Sequence, residues 1–112
     1  CAITGLAVPE LLRASHLKPW RDCAMDAERL DVFNGLLLAP HLDAALDGGL
    51  VTLSDAGSLI VSSRLDSEAR RLLGLDVPRR LRFVEPRHHP YLAWHREHEF
   101  ERRLRPDAGW RG

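Results

Sequence analysis

The chain has 112 residues, 45% of them apolar and 29% charged, and a formal net charge of zero. That length suffices for one hydrophobic core and one domain. The composition fits a soluble globular domain: no apolar run nears the roughly 18 residues of a membrane span, and zero net charge argues against a nucleic-acid binder that works through bulk positive charge.

In chain order, Leu11 to Leu17 reads as a short strand that must stop before Pro19, because proline lacks a ladder donor and restricts the residue before it. His16 then lies near a strand end. Residues Arg21 to Asp31 alternate charges and read as an ordered loop, with one helical turn over Asp26 to Arg29. Gly35 to Ala39 is a second apolar strand. Pro40 fits the first turn of a helix that runs to Asp47 and is ended by Gly48-Gly49. Leu50 to Leu53 and Ser58 to Val61 flank the turn residues Ser54-Asp55-Ala56-Gly57 and read as a hairpin. Asp66 can cap a helix that ends at Leu73 before Gly74. The alternation in Leu81-Arg82-Phe83-Val84 predicts a half-exposed strand. Pro90 can start a last helix, carrying Tyr91, Leu92, Trp94, His95, His98 and Phe100, that reaches about Leu104, with a frayed tail from Arg105 to Gly112.

Two cysteines, Cys1 and Cys23, are too few for a disulfide framework and lack the CxxC spacing of structural zinc. Both are expected to be reduced, Cys1 as a small core residue, and a cytoplasmic setting follows as the default. The start at Cys1, with neither methionine nor a charged-then-apolar leader, reads as a fragment or trimmed chain rather than a secreted precursor. Charge is unevenly spread: the first 63 residues carry four more acids than bases, and the remainder carries four more bases than acids, all the bases there being arginines. Those arginines read either as salt-bridged, solvated helix faces or as a surface for phosphates.

The first three elements bring together the residue types of a compact metal-dependent phosphodiesterase. A histidine can take a proton from water near neutral pH, a helix-borne carboxylate, with or without an imidazole, can hold a divalent cation, and an asparagine can pin a loop through both its donor and its acceptor. His16, Asp43 with His41, and Asn34 are the candidates. Each also has an ordinary role available: a hydrogen-bonded core histidine, a helix-start acid favoured by the dipole, a turn asparagine before Gly35. Asp47, beside Gly48-Gly49, reads as structural. His88, His89, His95 and His98 read as packing or surface residues rather than a zinc cluster, and Trp20 is expected to close the core over the loop.

The segments ASHLKPW, ERLDVFNGLLL and PHLDAALDGGLVTL, with CAITG ahead and YLAWHREHEF behind, resemble the HNH endonuclease family. More narrowly, they are similar to its bacterial branch, often found as the C-terminal nuclease domain of restriction-type and modification-dependent enzymes. The resemblance implies an α+β fold with a ββα-metal core, here with an added hairpin and C-terminal helices, over an HNH nuclease domain at 1–104 and a tail at 105–112. It implies His16 as the general base, Asn34 as the brace of the catalytic loop, and Asp43, where the family usually has a histidine, as a ligand of Mg²⁺ or Mn²⁺. His41, two residues from Asp43, joins the metal only if the helix starts late, since side chains two apart do not share a face. The residue before the base is Ser15, a poor ligand where many relatives carry aspartate or histidine.

The implied function is hydrolysis of DNA phosphodiester bonds by the cleavage module of a restriction or modification-dependent endonuclease, without a membrane partner. In that mechanism His16 deprotonates water, the hydroxide attacks phosphorus in line, and the cation steadies the departing 3′ oxygen. Sequence choice is then left to an upstream DNA-reader domain or to a homodimer partner. Two rival readings stay open: a catalytically degenerate HNH fold that docks DNA or dimerises, and a toxin nuclease with an immunity partner.

Overall fold

The computed structural model describes residues 1–102; the predicted tail at 105–112, and Leu104 as a helix end, lie outside the described residues. Its architecture is α+β: two separate two-stranded antiparallel sheets and four helices, with short 3₁₀ turns between them.

Strand β1 (Arg13–His16) pairs with β2 (Gly35–Leu38) in the register Arg13 to Leu38, Ala14 to Leu37, Ser15 to Leu36 and His16 to Gly35. Because strand side chains alternate, Ser15, Leu36 and Leu38 share the inward face, and all three are buried. The long β1–β2 connection holds the single-turn helix α1 (Asp26–Arg29). Helix α2 (Pro40–Asp47) follows β2 at once, with Pro40 in its first turn, where the missing N–H costs nothing. Its Leu42, Ala45 and Leu46 are buried, and that stripe packs against β1 and β3. The order strand, strand, helix is therefore a ββα finger, as the breakers and periodicity predict.

The predicted hairpin is present as β3 (Val51–Leu53) and β4 (Leu59–Val61). Helix α3 (Ser67–Leu73) is capped by the Asp66 carboxylate, which accepts from Ala69 N at 2.8 Å, and ends in a left-handed Gly74. Helix α4 (His89–His98) lies on β3 and buries Leu92 and His95. It stops at His98, short of the predicted end near Leu104. Glu101 has φ 54°, outside helical space, and its N–H donates to Gly49 O at 2.8 Å instead of continuing the helix.

The strand predicted at Leu81 to Val84 does not form. Leu81 N donates to Gly57 O and Arg82 N to Ala2 O, so this segment divides its donors between two different pieces of chain. The only pairing nearby among the described residues is an isolated bridge from Ser58 to Arg80. Four of the arginines after residue 63 also bind internally. Arg70 donates to Leu65 O and Ser62 O, Arg79 to Gly74 O, Arg80 to Ala56 O and Arg96 to Leu53 O, so they close carbonyls within the fold. Both cysteines are free thiols. Cys23 is buried, and Cys1 packs at the core margin. Among the described residues no helix is long and apolar enough to cross a membrane.

Candidate active site

Asn34 organises the loop that carries the site. Its side chain is fully buried; Oδ1 accepts from Lys18 N at 2.8 Å, and Nδ2 donates to Lys18 O at 3.0 Å and Glu28 O at 3.3 Å. One amide thus ties both ends of the β1–β2 connection together, matching both lone-pair and donor capacity. Leu17 N donates to Asn34 O at 2.9 Å, extending the strand ladder one residue beyond His16. The Lys18 ammonium meets the Glu28 carboxylate at 2.6 Å, and that hydrogen bond is the main cause holding the Glu28 carboxyl below its ordinary range. Asn34 does not line the polar cleft.

A polar cleft of about 370 Å³ is lined by Ala14, Ser15, His16, Pro19, Trp20, Asp43 and Asp47. His16 enters from the end of β1 and the two aspartates from α2. Asp43 and Asp47 are four residues apart, hence on one helix face. His41 is exposed on α2 and does not line the cleft, as the two-residue offset from Asp43 dictates. Asp47, which reads as structural from its glycine neighbours, does line it. The i, i+4 spacing from Asp43 was the available signal.

Trp20 departs from expectation most. It is 54% exposed rather than closing the core, and its indole Nε1–H donates to His16 Nε2 at 2.9 Å, ring edge to ring face. Since indole nitrogen is only a donor, the neutral imidazole must carry its proton on Nδ1. The nitrogen that would take a proton is therefore occupied.

Outside the cleft, His95, His88 and His98 have structural partners. His95 is buried, bonded through Nδ1 to Thr52 Oγ1 at 2.8 Å and through Nε2 to Leu46 O at 2.9 Å. It joins α4 to β3 and to the end of the carboxylate-bearing helix, and burial pushes its pKa down. His88 accepts from Glu85 N at 2.8 Å and caps its own turn. His98 stacks on Trp94. A larger apolar cavity of about 430 Å³, lined by Cys1, Leu36, Leu81 and Phe83 among others, lies apart from the catalytic candidates and offers little to a phosphate besides Arg82.

The donor set suits a hard divalent cation. Two carboxylates on one helix face supply oxygen ligands, and magnesium is commonly held by one or two carboxylates with water and substrate phosphate completing its shell. No group of three or more histidine, cysteine or acidic side chains stands close enough to hold a metal among the described residues, so the two aspartates are the protein's carboxylates on this cleft.

The fold and the cleft define a class first: a ββα finger that presents an imidazole opposite helix-borne carboxylates. Residues 1–54 match the family model described as HNH endonuclease, and this segment belongs to the HNH endonuclease family. Among solved structures, the chain is similar to the modification dependent TagI restriction endonuclease, at 22% identity and a TM-score of 0.50, over 90% of this chain and 30% of that one. The chain thus spans about a third of the length of that structure, and the likeness carries the fold into the hairpin and later helices. No curated protein matches the chain.

Proposed function

We propose that the chain is a divalent-metal-dependent nuclease domain, running from Cys1 to Leu104, that hydrolyses DNA phosphodiester bonds as the cleavage module of a restriction or modification-dependent endonuclease. A bacterial, cytoplasmic setting, an upstream DNA-reader domain and a homodimer belong to the same reading. The observation that carries it is the convergence of His16, Asp43 and Asp47 on one cleft.

In this mechanism His16 accepts a proton from the attacking water through Nε2, after the Trp20 indole has let go of that nitrogen. Asp43 and Asp47 would hold a divalent cation, which when bound would supply positive charge against the phosphate and its departing oxygen. Asn34 keeps the loop from Lys18 to Glu28 closed, so that Trp20 and Pro19 wall the cleft. His41 stays outside this set, against its expected role as a second ligand.

The test is nicking of supercoiled plasmid with Mg²⁺, with Mn²⁺ and with EDTA. Cleavage that needs the metal and vanishes in His16→Ala, with the far-UV circular dichroism unchanged, is the expected result. Cleavage that survives His16→Ala contradicts the mechanism. A folded chain inert with every metal favours a degenerate module that docks DNA or dimerises, a reading to which the occupied His16 Nε2 lends its one specific support.

A further inference from the structure

The buried residues on the inward face of the β1–β2 pair are Ser15, Leu36 and Leu38, and Ser15 is the polar one. Ser15 stands opposite Leu36 on that face and is 2% exposed. Its Oγ is the one buried side-chain polar atom left without a hydrogen-bond partner among the described residues. A buried, unpaired hydroxyl lowers stability, and alanine or valine would fill such a strand position without that cost. The same residue lines the cleft with Asp43 and Asp47. The residue with the unsatisfied hydroxyl therefore shares a cleft with two aspartates on α2, a helix packed against its strand.

We propose that the Ser15 hydroxyl is an anchor for the hydration shell of the divalent cation held by Asp43 and Asp47, and so a positioning residue for that ion. This rests on the metal-dependent reading of the cleft given above. A neutral hydroxyl competes poorly with carboxylate as a direct ligand. Magnesium, however, loses its waters reluctantly, and a water on the ion can both donate to Oγ and accept from it. The orphaned atom then finds its partner only when the ion is present. The metal-free fold carries the cost of the hydroxyl, and the metal-bound form recovers it.

Two variants separate this role from a packing role. The metal-stripped protein, Ser15→Ala and Ser15→Thr are compared by thermal unfolding without metal and by calorimetric titration with Mn²⁺, so the readout does not depend on cleavage. Ser15→Ala is expected to melt at or above the wild-type temperature without metal, and to bind Mn²⁺ about tenfold more weakly, the usual scale for losing an outer-shell partner. Its Mn²⁺-induced rise in melting temperature shrinks accordingly. Ser15→Thr, which keeps the hydroxyl, retains affinity near the wild-type value. Wild-type affinity in Ser15→Ala, a clear drop in its metal-free melting temperature, or lost affinity in a folded Ser15→Thr each overturns the proposal. If the wild-type protein takes up no Mn²⁺, or Asp43→Asn binds it unchanged, the failure belongs to the carboxylate site itself.

Discussion

Replacing Asn34 tests whether one amide holds the loop that walls the cleft. Asn34→Ala removes three hydrogen bonds to main chain, two at Lys18 and one at Glu28. Each is worth about 1 kcal/mol net, and buried main-chain groups left unpaired raise the cost, so about 3 kcal/mol is expected. At about 4 °C per kcal/mol for a domain this size, the melting temperature falls by about 12 °C. Asn34→Asp refines the test, because it keeps the acceptor for Lys18 N but aims a carboxylate at two carbonyls. Its folded pKa is raised above the ordinary ~3.9 of aspartate by burial and by those carbonyls, so its deficit is smallest in acid and grows as pH rises from about 4. Differential scanning calorimetry of the three proteins at pH 7 and pH 4.5, with hydrogen exchange at the Lys18 amide, measures both effects. An Asn34→Ala protein melting within about 3 °C of wild type, or an unchanged Lys18 amide, would refute the brace.

Four further outcomes follow from other contacts. Trp20→Phe keeps the ring and deletes the hydrogen bond to His16; releasing about 1 kcal/mol at the base is expected to raise metal-dependent hydrolysis of bis(p-nitrophenyl) phosphate about fivefold, and a fall instead means that the indole orients the ring. Asp47→Asn relieves both a like-charge i, i+4 pair with Asp43 and an acid at the wrong end of α2, so the metal-free chain gains a few tenths of a kcal/mol in urea unfolding while Mn²⁺ uptake falls. Burial lowers the pKa of His95, so its contribution is complete above the ordinary value of about 6.5 and is lost as pH falls, by at most about 1.4 kcal/mol per pH unit; urea unfolding between pH 7 and 5 shows a slope that His95→Gln reduces. Tyr91 OH donates to Asp31 Oδ2 at 2.8 Å; burial, then that carboxylate, pushes the phenol up to about 12, while the Phe33 amide and then Tyr91 hold Asp31 low. Tyr91→Phe should cost about 1 kcal/mol at pH 7, a deficit that fades as pH drops through the carboxylate range, visible in chemical unfolding at pH 7 and 3.

Much of the ββα finger was legible from local chemistry. Pro40 and Gly48-Gly49 bracket α2, Asp66 and Gly74 bracket α3, and Ser54 to Gly57 turn the hairpin, because each acts within a few residues of itself. What escaped was set by distant partners. Leu81 to Val84 alternates like a strand, yet its donors go to Gly57 and Ala2, which no local pattern reports. Trp20 was expected to close the core over the loop. The loop pinned by Asn34 turns it outward onto His16 instead. Asp47 ends its helix as its glycine neighbours suggested, while its spacing from Asp43 also sets it on the cleft.

The cleft is also where local rules of folding are broken most densely. A hydroxyl stands on an apolar strand face without a partner. Two acids share one face of an eight-residue helix, the second at the end where the backbone dipole opposes it. A large aromatic is half exposed, its N–H engaged with a partly buried imidazole. The first two features weaken the free chain, and Ser15→Ala and Asp47→Asn relieve them; the third holds the imidazole with a hydrogen bond that Trp20→Phe would remove. Conflicts between local preference and global fold ordinarily gather at functional sites. In the proposed nuclease reading, a divalent cation at Asp43 and Asp47 would relieve their repulsion and give Ser15 a hydrated partner, while a phosphodiester entering beside His16 would displace the indole from Nε2.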